Sequence, residues 1–126
     1  VQHKVEVIHA RRAGAALGGH GGHGDDLHDY EWPVPPPGTD PIGSLQPPGR
    51  ATVQGRLHTA QVRPVSGTSV LACEIADSTG DLTALFYGRT QIAGLDPGCR
   101  IRLHGMVGTG DDGRPAMINP GYELLR

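Results

Sequence analysis

Residues 73–87 read CEIADSTGDLTALFY, and the reading of this stretch decides the fold. Cys73 and Ile75, then Leu82, Ala84 and Phe86, recur at period two, the spacing that lines one face of a strand. Between them Asp77-Ser78-Thr79-Gly80 is a turn signal, in which glycine tolerates positive φ and Asp and Ser hydrogen-bond the nearby backbone. The stretch is predicted to form a β-hairpin.

Upstream of the hairpin, ATVQGRLHTAQV alternates with Ala51, Val53, Gly55 and Leu57 on one side and Thr52, Gln54, Arg56 and His58 on the other. The apolar phase then slips to Ala60 and Val62, as expected of a long first strand that is bulged or sharply coiled around Gly55. Arg63 to Gly67 makes the next turn. Downstream, Gly88 to Cys99 is a connection whose Gly94 and Pro97 exclude a full helix, leaving Ile92 and Leu95 to cap the core. Arg100 to Val107 alternates again, with Ile101, Leu103, Gly105 and Val107 inward and Arg100, Arg102, His104 and Met106 outward. A polar turn over 108–113 leads to Ala116-Met117-Ile118, the last short strand. This order predicts an all-β fold, a five-stranded OB-fold Greek-key barrel with a mostly irregular N-terminal extension. A small β-sandwich is the structural rival; in about 75 residues it leaves open sheet edges that barrel closure removes.

The extension is set at residues 1–43 and the barrel at 44–126. VEVIHARRAGAAL, near the start, carries a weak helical pattern through Val5 and Ile8 that needs tertiary packing to persist. The following GGHGGHGDDLHDYEW brings His20, His23 and His28 close to Asp25, Asp26 and Asp29. These three histidines are the candidate metal ligands, but a glycine-rich linker loses much chain entropy in assembling a site, so a solvated linker is expected and no cofactor is assigned. Trp32-Pro33-Val34-Pro35-Pro36-Pro37 reads as a polyproline-like spacer, with Trp32 expected to dock on the barrel.

Composition narrows the function classes. Gly (20) and Pro (11) make about a quarter of the 126 residues, near the level at which low-complexity segments are suspected. Residues 1–43 hold three cations against six acids, net −3, and the remainder holds eight arginines against seven acids, net +1. Neither balance announces nucleic-acid binding through bulk charge, so such a function requires a local patch. Cys73 and Cys99 are too few and too far apart for a disulfide framework or a CxxC metal site. No run approaches the roughly 18 apolar residues of a membrane span, and a cytoplasmic location without membrane attachment is expected.

The sequence resembles bacterial OB-fold nucleic-acid-binding domains of the anticodon-binding type, most closely the wedge OB domain of RecG-like helicases. The resemblance covers 51–125 and rests on VQGRLHTAQV, IADSTGDLTALFYG, LDPGCRIRLHGMV and PAMINPGYELL, in that order. The last looks like the family's closing strand, with Asn119 and Gly121 standing where the family has His and Glu. No helicase motif or GxxxxGK[ST] loop accompanies it. The resemblance therefore implies a stand-alone, non-catalytic module that binds single-stranded or branched DNA, or RNA.

OB ligands usually lie across strands two and three, flanked by the first and last connections. On that map the candidate nucleic-acid-binding residues are Arg56, His58, Arg63, Leu85, Tyr87, Arg89 and Arg114. Arginine grips phosphate or stacks, Tyr87 offers a base platform, and Leu85 shares its outward face. Phe86 points inward with Leu82 and Ala84. Glu74 sits among Val70, Ala72 and Ala76 on the outward side and opposes a phosphate, so the same face also suits a protein partner. That is the alternative reading: a protein–protein interaction module. Catalysis is not expected, because Asp77 and Asp81 are accounted for by the turn and no serine or cysteine stands in a nucleophile motif.

Overall fold

A computed structural model describes residues 32–110 and 113–125. Six strands follow in order: β1 (Gly49–Val65), β2 (Thr68–Asp77), β3 (Gly80–Tyr87), β4 (Arg100–Thr109), β5 (Pro115–Ile118) and β6 (Gly121–Leu125). A 3-10 turn at Ile42–Ser44 precedes them. Five strands close into a ring, β1-β2-β3-β5-β4 and back to β1. All its pairings are antiparallel except β3–β5, which runs parallel from Thr83↔Ala116 to Leu85↔Ile118. This is the OB-fold barrel that the strand pattern predicts.

β1 serves two neighbours in turn. Its first half, from Gly49 to Arg56, pairs with β4, and from Arg56 onward it pairs with β2. The register slips between Leu57 and Thr59, so the bulge falls at His58, three residues beyond the Gly55 around which the sequence suggested it. Gly55 has its own reason: a Cβ there would collide with the carbonyl oxygen of Ala76. The strand continues to Val65, so the turn is confined to Ser66-Gly67, both at positive φ.

The sequence reading also stops one strand short. β5 and β6 lie end to end along one edge of β4, β5 against Val107–Thr109 and β6 against Arg100–His104. They are one closing strand interrupted at Asn119-Pro120, where Asn119 takes φ +50°. The Asn119 N–H donates to the Leu85 carbonyl at 2.7 Å, and its side-chain Oδ1 accepts the Tyr87 N–H at 2.8 Å. The break thus keeps its hydrogen bonds to β3.

Inside the ring, Val53, Leu57, Leu71, Cys73, Ile75, Leu82, Ala84, Phe86, Ile101, Leu103, Val107 and Met117 form one buried cluster. Each large aliphatic side chain in it contributes about 1.5–3 kcal/mol of burial. Phe86 meets Tyr122 edge to face, with ring centroids 5.5 Å apart. Ile92 and Leu95 cover the core from the β3–β4 connection, as expected, and Ile42 joins it from the 3-10 turn. Among the described residues no helix is long and apolar enough to cross a membrane.

Candidate nucleic-acid interface

Strand register arranges the outward side of the hairpin in rows. Arg63, Val70 and Tyr87 form one row; Gln61, Ala72, Leu85 and Ile118 the next; Thr59, Glu74, Thr83 and Ala116 the third. A fourth runs Arg56, Ala76, Asp81, and Arg114 reaches Asp81 with Nη1 3.3 Å from both carboxylate oxygens. The predicted residues therefore divide between the two ends of one face. Arg63 and Tyr87 stand at one end with Arg89 two residues past Tyr87, whereas Arg56 and Arg114 stand at the other.

The middle of that face is closed. Leu85 is 0% exposed, Val70 1%, Thr83 2% and Glu74 3%. Val65, Val70, Ala72 and Leu85 make a second apolar cluster outside the ring, with Tyr87 packed against it. Leu85 points outward, as alternation requires, but it is enclosed and does not present itself to a ligand. Alternation reports which side of a strand a residue occupies; it cannot report whether that side is covered. Tyr87 is half-buried with its hydroxyl oxygen enclosed, so its ring serves as packing.

The basic residues differ in freedom. Arg56 donates from Nη1 to the Gly98 carbonyl at 3.0 Å and so fastens the β3–β4 connection. Arg63 donates from Nη2 to Gln61 Oε1 at 3.1 Å. His58, in the bulge, meets Trp32 edge to face at 5.7 Å, which places Trp32 on the barrel as expected. Arg89 is exposed and has no hydrogen bond or ion pair among the described residues. The Cys99 thiol, half-buried beside the connection, is pushed above its ordinary pKa by burial, with the Asp96 carboxylate adding to the rise.

His20, His23 and His28 lie outside the described residues. Among the described residues no three His, Cys, Asp or Glu side chains gather closely enough to hold a metal ion.

No protein-family model matches the chain, and no curated protein does. The barrel is similar to the solution NMR structure of the replication factor A related protein from Methanobacterium thermoautotrophicum. The two are 23% identical, with a TM-score of 0.58 over 69% of this chain and 90% of the other. The likeness is one of fold.

A further basic strip escaped the sequence-level site assignment. Arg100 pairs with Arg56 and Arg102 with Gln54 across β4 and β1, while His104 faces Thr52. Arg102 donates from Nε and Nη2 to Gln54 Oε1, at 3.0 and 2.7 Å, and lies 3.7 Å from Glu123. The signal was present in Arg100-Ile-Arg102-Leu-His104, where every outward position is basic or imidazole. It was passed over because the usual OB map centres on β2 and β3.

Proposed function

We propose that this protein is a non-catalytic nucleic-acid-binding OB module acting on single-stranded or branched DNA, or on RNA. The observation that carries the reading is the barrel's distribution of arginine. Arg63 and Arg89 flank one end of the outward hairpin face, and Arg56, paired with Arg100, stands at the other. Guanidinium groups suit phosphate bidentately and stack on bases, and OB barrels are a recurrent scaffold for oligonucleotides. The fold likeness to a protein related to replication factor A and the RecG-wedge resemblance of the sequence point the same way.

With few aromatics available and Tyr87 packed, affinity comes chiefly from phosphate contacts, so binding is micromolar and salt-sensitive. Fluorescence anisotropy with a labelled oligo-dT and its RNA counterpart, at low and moderate salt, tests this. Titration at low salt without any anisotropy change for either strand would overturn the proposal. The alternative of a protein-interaction module on the same face meets the same enclosure around Leu85 and gains no support from it.

A further inference from the structure

The bulk charge of the chain does not announce a nucleic-acid surface, so a ligand of that kind needs basic residues gathered in one place. β1, β4 and β6 gather them. Residues 44–126 hold eight arginines, and four of them, Arg50, Arg56, Arg100 and Arg102, stand on the outward side of these strands. Val53, Leu57, Ile101 and Leu103 alternate with them into the core. The outward side of the hairpin, by contrast, carries Glu74 and Asp81.

Register sets this face out in rows. Arg56 lies opposite Arg100 at one end and Arg50 opposite Met106 at the other. In the middle, Arg102 lies between Gln54 and Glu123, and His104 lies opposite Gly121. The extended strand from Arg50 to Arg56 spans about 20 Å, enough for a short run of nucleotides. Unlike the centre of the hairpin face, this surface is open: Arg50, Arg100 and His104 are exposed, and Met106 is 53% exposed.

The side chains offer two kinds of contact. Guanidinium groups meet phosphates, and the carboxylates bordering these rows oppose them only weakly. Glu123 lies 3.7 Å from Arg102, but with side chains 64% and 41% exposed such a pair is worth little, and an incoming phosphate can take its place. Asp40 is engaged at the edge of β1, where its Oδ2 accepts the Thr52 N–H at 2.9 Å. His104 supplies a flat surface. A Cβ at Gly121 would fall on the Cε1, Nε2 and Nδ1 atoms of its ring, so the imidazole lies over the glycine, against the sheet. Its outer side is left to solvent, an attitude in which the ring can stack a nucleobase, with Met106 beside it as further apolar surface.

We infer that a single nucleic-acid strand binds along the β1–β4–β6 face, with phosphates against Arg50, Arg56, Arg100 and Arg102 and a base on His104. The inference rests on the nucleic-acid reading proposed above and gives it a track away from the hairpin that OB barrels usually employ. Arg56 joins the two faces, since it pairs with Ala76 of β2 as well as with Arg100 of β4. A strand on this track binds without opening the enclosed centre around Leu85.

Anisotropy titrations of labelled oligo-dT over a salt series, with the full chain and three variants, test it. Arg50→Gln with Arg100→Gln is expected to weaken binding about tenfold at low salt and to lower the slope of log affinity against log salt by about 1.4, at about 0.7 per phosphate of single strand. Glu123→Lys removes a carboxylate from the face and adds a cation, so binding tightens several-fold, a gain that misfolding does not mimic. His104→Ala weakens binding about fivefold with the slope unchanged, because the lost contact is to a base; unchanged affinity there overturns the base contact. Unchanged affinity in either charge variant, while the wild-type chain binds, overturns the inference and leaves the nucleic-acid reading standing. No binding by the wild-type chain even at low salt overturns both. Polyglutamate that displaces oligo-dT at equal concentration of charge overturns the nucleic-acid occupant and assigns the face to an acidic protein.

Discussion

Asp77 accepts four hydrogen bonds, three from within its own turn and one from the Ile42 N–H at 3.0 Å, 35 residues away in sequence. As a turn residue it was legible in DSTG; as the clamp holding the 3-10 turn to the barrel it was not, because the partner is a backbone N–H that no sequence pattern marks. Replacing it with alanine strands those donors, and hydrogen bonds to a charged acceptor are worth about 1.5–3 kcal/mol. Asp77→Ala is expected to lower stability by about 3 kcal/mol, read as a shift of the urea midpoint with an unchanged slope. The cysteines make a second test at this scale. Cys73 is fully buried and the Cys99 thiol titrates above its ordinary value because burial disfavours the thiolate. In native protein at neutral pH, Cys99 should alkylate slowly and faster as pH rises beyond that value, while Cys73 reacts only after unfolding; mass spectrometry of iodoacetamide-treated protein distinguishes them.

At the scale of elements, the strands were legible wherever one face met the core and the other met solvent. β4 is the clearest case, with Ile101, Leu103 and Val107 buried and Arg100, His104 and Met106 exposed. β2 and β3 are buried on both sides, and their outward Ala72, Glu74 and Thr83 look like ordinary solvent-facing residues in sequence. β6 was missed because Asn119-Pro120 resembles the end of a strand; only the shared edge of β4 shows that the strand resumes. Asn119 makes this break testable. Asn119→Gly keeps the positive φ but loses the acceptor for Tyr87, and Asn119→Ala loses both. Stability should fall by about 1 kcal/mol for glycine and by more for alanine, measured by equilibrium denaturation. Gly55→Ala should be still more damaging, since the obstruction is the backbone of Ala76 and β1 and β2 would have to separate to admit a methyl group.

At the scale of the whole molecule, the proposed function would rest on charge placed at the ends of a face whose centre is closed. If Arg63 and Arg89 each meet a phosphate, the double change to alanine should weaken oligonucleotide binding at all sequences and reduce the slope of log affinity against log salt by about two. Changing Arg114 should matter less, because its guanidinium already lies against Asp81. Anisotropy titrations over a salt series measure both. An equal loss for all three arginines would mean that the ligand crosses the whole face.

The sequence by itself determined the barrel: period-two burial, a glycine turn and the order of five strands admit few closures, because each apolar face must find the same core. It also determined that Phe86 belongs inside and Trp32 against the barrel. Tertiary structure alone decided how the hairpin's other side is used. Which residues share a strand face follows from local geometry, but whether that face is open is decided only by the packing of the whole fold. The stretch from Cys73 to Tyr87, central to the fold, is for that reason enclosed on both sides, and the accessible basic residues lie around its margins.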